Sequence, residues 1–154
     1  MKPYLDAVRQ VIDHGEERPD RTGVGTRSCF AVHFSHDLAK GFPLLTTKKV
    51  NYTAVLHELL WFLTGDTHIR DLQQKTKIWD AWTSEEQGWS LGRTYGSQWV
   101  AWEQYLDDGK GGYRLEHVNQ IQLVIDTLKK NPFSRRMVVS AWNPGDFERP
   151  KDDP

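Results

Sequence analysis

Apolar positions recur with helical spacing in three places along the chain and with strand spacing in one. In PYLDAVRQVIDHG, Leu5, Val8, Val11 and Ile12 share one helical stripe, and Gly15 supplies a stop. RPDRTGVGT is polar with two glycines and predicts a turn or loop, whereas TRSCFAVHFS alternates and puts Phe30, Val32 and Phe34 on one side of a strand. KGFPLLTTKKV reads as a turn and a short extended piece. AVLHELLWFLTGD, residues 54–66, predicts a helix ending near Gly65, and DTHIRDLQQ a short helix capped by Asp66 or Thr67. Residues 76–112 are rich in Trp and Gly and predict loops with short helical turns. LEHVNQIQLVIDTLKKNP predicts an amphipathic helix through Val118, Ile121, Val124, Ile125 and Leu128. Lys129 and Lys130 suit the dipole at its end, and Asn131–Pro132 stops it. RRMVVSAW then predicts a buried strand, followed at once by the polar NPGDFERPKDDP.

One position breaks the pattern of the second helix. At about 100° per residue, Thr53, His57 and Thr64 cluster as its polar face, and Glu58 lies about 120° away, between Ala54, Val55, Trp61 and Phe62. A carboxylate among apolar neighbours needs a partner or a use. It either pairs with a distant arginine or caps backbone groups, or it is a partly desolvated acid with a raised pKa, suited to handling protons.

Composition narrows the class of protein. A chain of 154 residues can bury a core as one domain, and a net charge of −1 gives no support to a nucleic-acid or membrane surface as main partner. The single cysteine, Cys29, excludes an internal disulfide and suits a reducing compartment. With no signal-peptide core at the start, the expected location is the cytosol. Five of the seven tryptophans, Trp79, Trp82, Trp89, Trp99 and Trp102, fall in one segment, which fits either an aromatic-lined pocket or core packing. HELLW lacks the second histidine of a zinc-protease helix, the six histidines show no ligand spacing, and no metal is expected. TGVGT has no third glycine and no preceding apolar strand, which argues against a dinucleotide site, and Cys29 reads as a buried, inert thiol. Arg21 in its glycine-flanked loop, and Arg135–Arg136 at a strand end, are either solvated or ion-paired surface or bidentate grips for phosphate.

Taken in order and spacing, YLD…DRTGVGT, GFPLLTTKK, HELLWFLTGDT, IWDAW, YGSQW and SRRMVVSAWNPGD resemble the first half or so of thymidylate synthase, over residues 1 to about 147. The resemblance implies an α/β fold with a mixed sheet flanked by helices, here an incomplete N-terminal part of a single domain, and homodimers packed sheet against sheet. It implies reductive methylation of dUMP to dTMP, with methylene-tetrahydrofolate giving both the one-carbon unit and the hydride. Carried over by motif, Arg21 would hold the nucleotide phosphate, and Arg135 and Arg136 would reach the phosphate in the other subunit's site. Glu58 would arrange water and protons around the pyrimidine. Ile78, Trp79 and Trp82 would line the folate pocket, Tyr95 would stand near the reacting ring, and Asn51 would contact folate where many relatives carry His.

The family's Pro-Cys-His segment, whose cysteine attacks the pyrimidine, does not occur among these residues, and Cys29 aligns with a strand position. The expectation is therefore a family member whose 154 residues do not methylate dUMP alone. The alternatives are a deoxycytidylate hydroxymethylase of the same family, a non-catalytic truncated subunit that only dimerises, and one half of a split gene product.

Overall fold

The computed structural model describes residues 2–20 and 23–146. Its internal contacts group into two units, residues 1–50 and 51–154.

In the first unit, helix α1 (Lys2–His14) ends where Gly15 N–H donates to the Val11 carbonyl at 2.8 Å. A Cβ at Gly15 would stand 2.3 Å from that same oxygen, so the tight exit requires glycine. The chain passes directly into β1 (Glu16–Arg18), which pairs antiparallel with β2 (Thr26–Ser28). Arg27 ties hairpin to helix, donating to the Ile12 carbonyl at 2.6 Å and to Glu17 at 3.0 Å. The strand expected over TRSCFAVHFS stops at Ser28, and Phe30 and Phe34 are exposed. The register explains why. Glu16 faces Ser28, so the residues that would face Cys29 and Phe30 are Gly15 and His14, and these are committed to α1 and its exit.

The second unit opens with α2 (Tyr52–Thr64). Asn51 caps it by accepting the Ala54 N–H at 3.1 Å, and Gly65 closes it in the left-handed region at φ 74°. A short helix α3 (Arg70–Gln73) starts later than expected and without a side-chain cap. Asp66 instead accepts the His68 N–H at 2.9 Å, and residues 67–69 bond to residues 89–91 through Ile69 N–H to the Trp89 carbonyl and Leu91 N–H to the Thr67 carbonyl, both 2.9 Å. That pairing holds the backbone out of helix until residue 70. Helix α4 (Tyr95–Ala101) leads into a hairpin of β3 (Trp102–Asp107) and β4 (Tyr113–Val118), and α5 (Gln120–Lys130) follows after an Asn119 cap.

LEHV is strand, not the first turn of a helix, because Val118 pairs with Trp102 and Asn119 sets the helix start at Gln120. The first strand and the turn of the hairpin, within residues 76–112, were expected as loop. That turn is built by Asp107 and Asp108, whose carboxylates accept the N–H groups of Gly109, Lys110 and Gly112.

The implied mixed sheet is not found among the described residues, which contain two separate two-stranded antiparallel sheets alongside the helices. RRMVVSAW, expected as a buried strand, joins no ladder among them, and Val138 and Trp142 are exposed. β-propensity lowers the free energy only where a neighbouring row of N–H and C=O groups is offered, and this segment meets a side chain instead. Gln120 accepts the Ser140 N–H and donates to the Ser140 carbonyl, occupying both groups a ladder would use.

The core of this unit is Trp61, Phe62, Ile69 and Leu72, with Trp79, Trp89, Leu91 and Trp99 packed around it. Helix α4 crosses α2 at Gly96, where an added Cβ would meet the Phe62 carbonyl oxygen at 2.4 Å and its Cα at 2.7 Å. Both are backbone atoms that cannot step aside. Gly96→Ala is expected to lower unfolding free energy by about 1–3 kcal/mol, the usual cost of overpacking, measured by urea denaturation. A smaller loss would show that the helices separate freely.

Candidate functional site

Glu58 sits in α2 one turn before Phe62, half-buried, with Ala54, Trp61 and Phe62 buried nearby on the helix and Val55 exposed. Its carboxylate accepts a hydrogen bond from the indole Nε1–H of Trp79 at 2.8 Å. The partner is thus neither an arginine nor a backbone group but an aromatic side chain from the loop after α3. Trp79 is held in turn by ring packing, with centroids 6.5 Å from Trp61 and 6.3 Å from Phe62.

Phe62 is the hub of this wall. Its ring lies 5.5 Å from Tyr95 and 5.6 Å from Trp99, both edge-on, and 5.1 Å from Trp61. Trp82 extends the wall from Trp79 at 6.3 Å and is 65% exposed, and Ile78 and Tyr95 are also exposed. Buried rings on one side and open rings on the other suit a flat heteroaromatic ligand, because stacking area is left uncovered beside a fixed acceptor. Of the segment's tryptophans, Trp79, Trp89 and Trp99 pack on the core and Trp82 does not, so the pocket and packing readings each account for some of them.

Glu58, Trp79, Trp82 and Tyr95 are therefore joined through direct contacts, with Ile78 adjacent in the chain. Asn51 is not among them. Its side chain is used in capping α2, two turns or roughly 10 Å along the axis from Glu58. Arg135 and Arg136 are exposed, and their guanidinium groups make no hydrogen bond or ion pair with described residues. Arg21 lies outside the described residues. The β1–β2 hairpin frames a cleft of about 590 Å³ lined by Arg18, Asp20, Gly23, Gly25 and Arg27. Cys29 is half-buried rather than buried as expected, its thiol donating to the Gln10 carbonyl at 3.9 Å. No group of residues able to hold a metal occurs among the described residues.

Several polar groups near the wall were not legible in advance. Asp80 Oδ1 and Thr94 Oγ1 are buried without a hydrogen-bond partner among the described residues. Beside Tyr95 a cleft of about 180 Å³ is lined by Arg93, Thr94, Trp142, Asn143 and Asp146. Arg93 bridges Glu103 at 2.7 Å and Asp146 at 2.5 Å, and Asp146 also accepts from the buried Gln98 amide. Partners this distant in sequence leave no local signature.

A family model described as thymidylate synthase matches residues 2–152, nearly the whole chain. The chain belongs to the thymidylate synthase family. That is a family of methyltransferases of nucleotide biosynthesis, which bind dUMP, use methylene-tetrahydrofolate as cosubstrate and are typically dimers.

The Glu58–Trp79 bond separates two substitutions. Trp79→Phe keeps a ring but strands the carboxylate, and is expected to cost about 1–3 kcal/mol in chemical denaturation. Glu58→Gln keeps an oxygen that accepts the same indole N–H, and is expected to cost less than about 0.5 kcal/mol. Equal losses would show that the bond contributes nothing.

Proposed function

We propose that this chain serves the reductive methylation of dUMP to dTMP, with methylene-tetrahydrofolate supplying both the one-carbon unit and the hydride and leaving as dihydrofolate. The observation that carries the reading is the half-buried Glu58, fixed by Trp79 at the edge of an open aromatic wall, in a chain of this family.

In this reading Trp79, Trp82 and Ile78 offer the folate ring system a face to stack on, and exclude water from it once bound. Tyr95, 5.5 Å from the Phe62 ring, stands at the end of the wall where the pyrimidine meets the one-carbon donor. Glu58 has one oxygen engaged by the indole. The other is left to order a water and to pass protons to and from the pyrimidine and the departing folate nitrogen. Arg135 and Arg136 reach the nucleotide phosphate in a partner's site, which their exposure and lack of described partners support. A guanidinium pair with no carboxylate partner among the described residues is ready for a dianion. Arg21 keeps the phosphate-holding role that the resemblance gives it. Asn51 is better read as a helix cap than as a folate contact.

Addition of a thiolate to the pyrimidine ring is what makes the neighbouring carbon nucleophilic. The chain's one cysteine packs against a backbone carbonyl, so these 154 residues bind without turning over.

Calorimetry with tetrahydrofolate in the presence of dUMP tests the reading. Binding is expected, weakened about tenfold or more by Trp82→Ala through loss of a stacking face. Dihydrofolate should not accumulate at 340 nm when methylene-tetrahydrofolate is supplied. Unchanged affinity in Trp82→Ala would refute the assigned wall, and dihydrofolate and dTMP above blank would refute the inactivity.

A further inference from the structure

The side chain of Gln120, first residue of α5, makes three hydrogen bonds to backbone in two other segments. Its Nε2 donates to the Gln98 carbonyl of α4 at 2.7 Å and to the Ser140 carbonyl at 2.9 Å, while its Oε1 accepts the Ser140 N–H at 2.9 Å. The amide orientation is fixed by these partners, because reversing it would set the NH2 against an N–H and the oxygen against two carbonyls. At residue 140 the primary amide thus acts as a one-residue piece of β-strand, pairing with both main-chain groups.

What the clasp joins is informative. α4 begins with Tyr95 and supplies Gln98, and residues 141–143 follow Ser140 directly. Tyr95 from the first segment, and Trp142 and Asn143 from the second, all line the 180 Å³ cleft. One side chain therefore ties together the two segments that line it. Further polar links between these segments run through Asp146, which meets Gln98 and Arg93.

The geometry points to Gln120 as a positioning residue: its amide sets the width of the cleft beside Tyr95 and so the pose of the ring bound there. This rests on the reading of Tyr95 as part of the nucleotide–folate site. Gln120 touches no ligand and takes no part in proton transfer. It acts only through Ser140 and Gln98.

Three forms of the full chain test this. Gln120→Met keeps length and volume and loses all three bonds. Gln120→Glu can accept from Ser140 N–H but cannot donate when ionised, and its charge then faces two carbonyls. On protonation it regains one donor. Residue-resolved amide exchange by NMR should show the Ser140 N–H exchanging about fivefold to tenfold faster in Gln120→Met, as expected for loss of a typical hydrogen bond, with α2 amides unchanged. In Gln120→Glu, Ser140 protection corrected for intrinsic exchange should rise as pH falls, and the wild type should show no such recovery. Tetrahydrofolate affinity with dUMP present should fall about fivefold or more in Gln120→Met and recover with the same pH profile in Gln120→Glu.

A side chain that merely fills space would give no pH-dependent recovery. Unchanged Ser140 protection overturns the clasp, and lost protection with unchanged affinity overturns the positioning role. A wild type that binds no tetrahydrofolate refutes the functional reading itself, and the exchange data still decide whether the amide holds the segment.

Discussion

The approach of α4 to α2 at Gly96 is the constraint on which the rest of the second unit depends. With no side chain at 96, the backbone of one helix lies directly on the Phe62 carbonyl of the other. That contact lets a single phenyl ring touch Trp61, Trp79, Tyr95 and Trp99. Any Cβ there would push Tyr95 and Trp99 outward and leave Phe62 packed on one side only. Gly65 contributes at the next contact, since its left-handed turn passes where a Cβ would stand 2.5 Å from Val100 Cγ2. Close packing of this kind is stiff, which is what a site needs when the ligand is flat and the acceptor must stay in place.

From that contact outward, packing turns into chemistry. Phe62 and Trp61 fix Trp79, and Trp79 fixes the Glu58 carboxylate with its indole N–H. The carboxylate is neither buried and unpaired, which would be costly, nor in full contact with water. Trp82, Ile78 and Tyr95 keep open faces at the edge of the same wall. Beside Tyr95 the wall is braced by polar contacts to residues 140–146, through Gln120, Gln98 and Arg93. Aromatic packing thus holds one edge of the site and hydrogen bonds hold the other.

What the sequence made legible was local. The helices α1 and α2, the stops at Gly15 and Gly65, and the odd placement of Glu58 all follow from contacts within a few residues, where periodicity is informative, although Leu5 and Ile12 of the expected α1 stripe are exposed. Asn51 was legible too, since Asn ahead of an apolar run is a strong capping signal, yet the family resemblance drew it toward folate instead. The misreadings share a cause, which is that pairing decided the outcome. TRSCFAVHFS lost its strand because its would-be partners were taken by α1. LEHV became strand because β3 was there to pair with it, and RRMVVSAW met an amide rather than a ladder. The partner of Glu58 lies 21 residues away, and the partners of Gln120 lie 20 and 22 residues away, beyond any helical or strand period.

The most direct measurement follows the indole N–H signals of Trp79 and Trp82 by NMR while tetrahydrofolate and dUMP are added to the intact chain. Both signals should shift together and saturate at one ligand concentration, with the Trp79 signal already displaced before addition by its bond to Glu58. Ligand binding that leaves both indoles unmoved would contradict the central claim that this carboxylate and these rings form the ligand-facing wall.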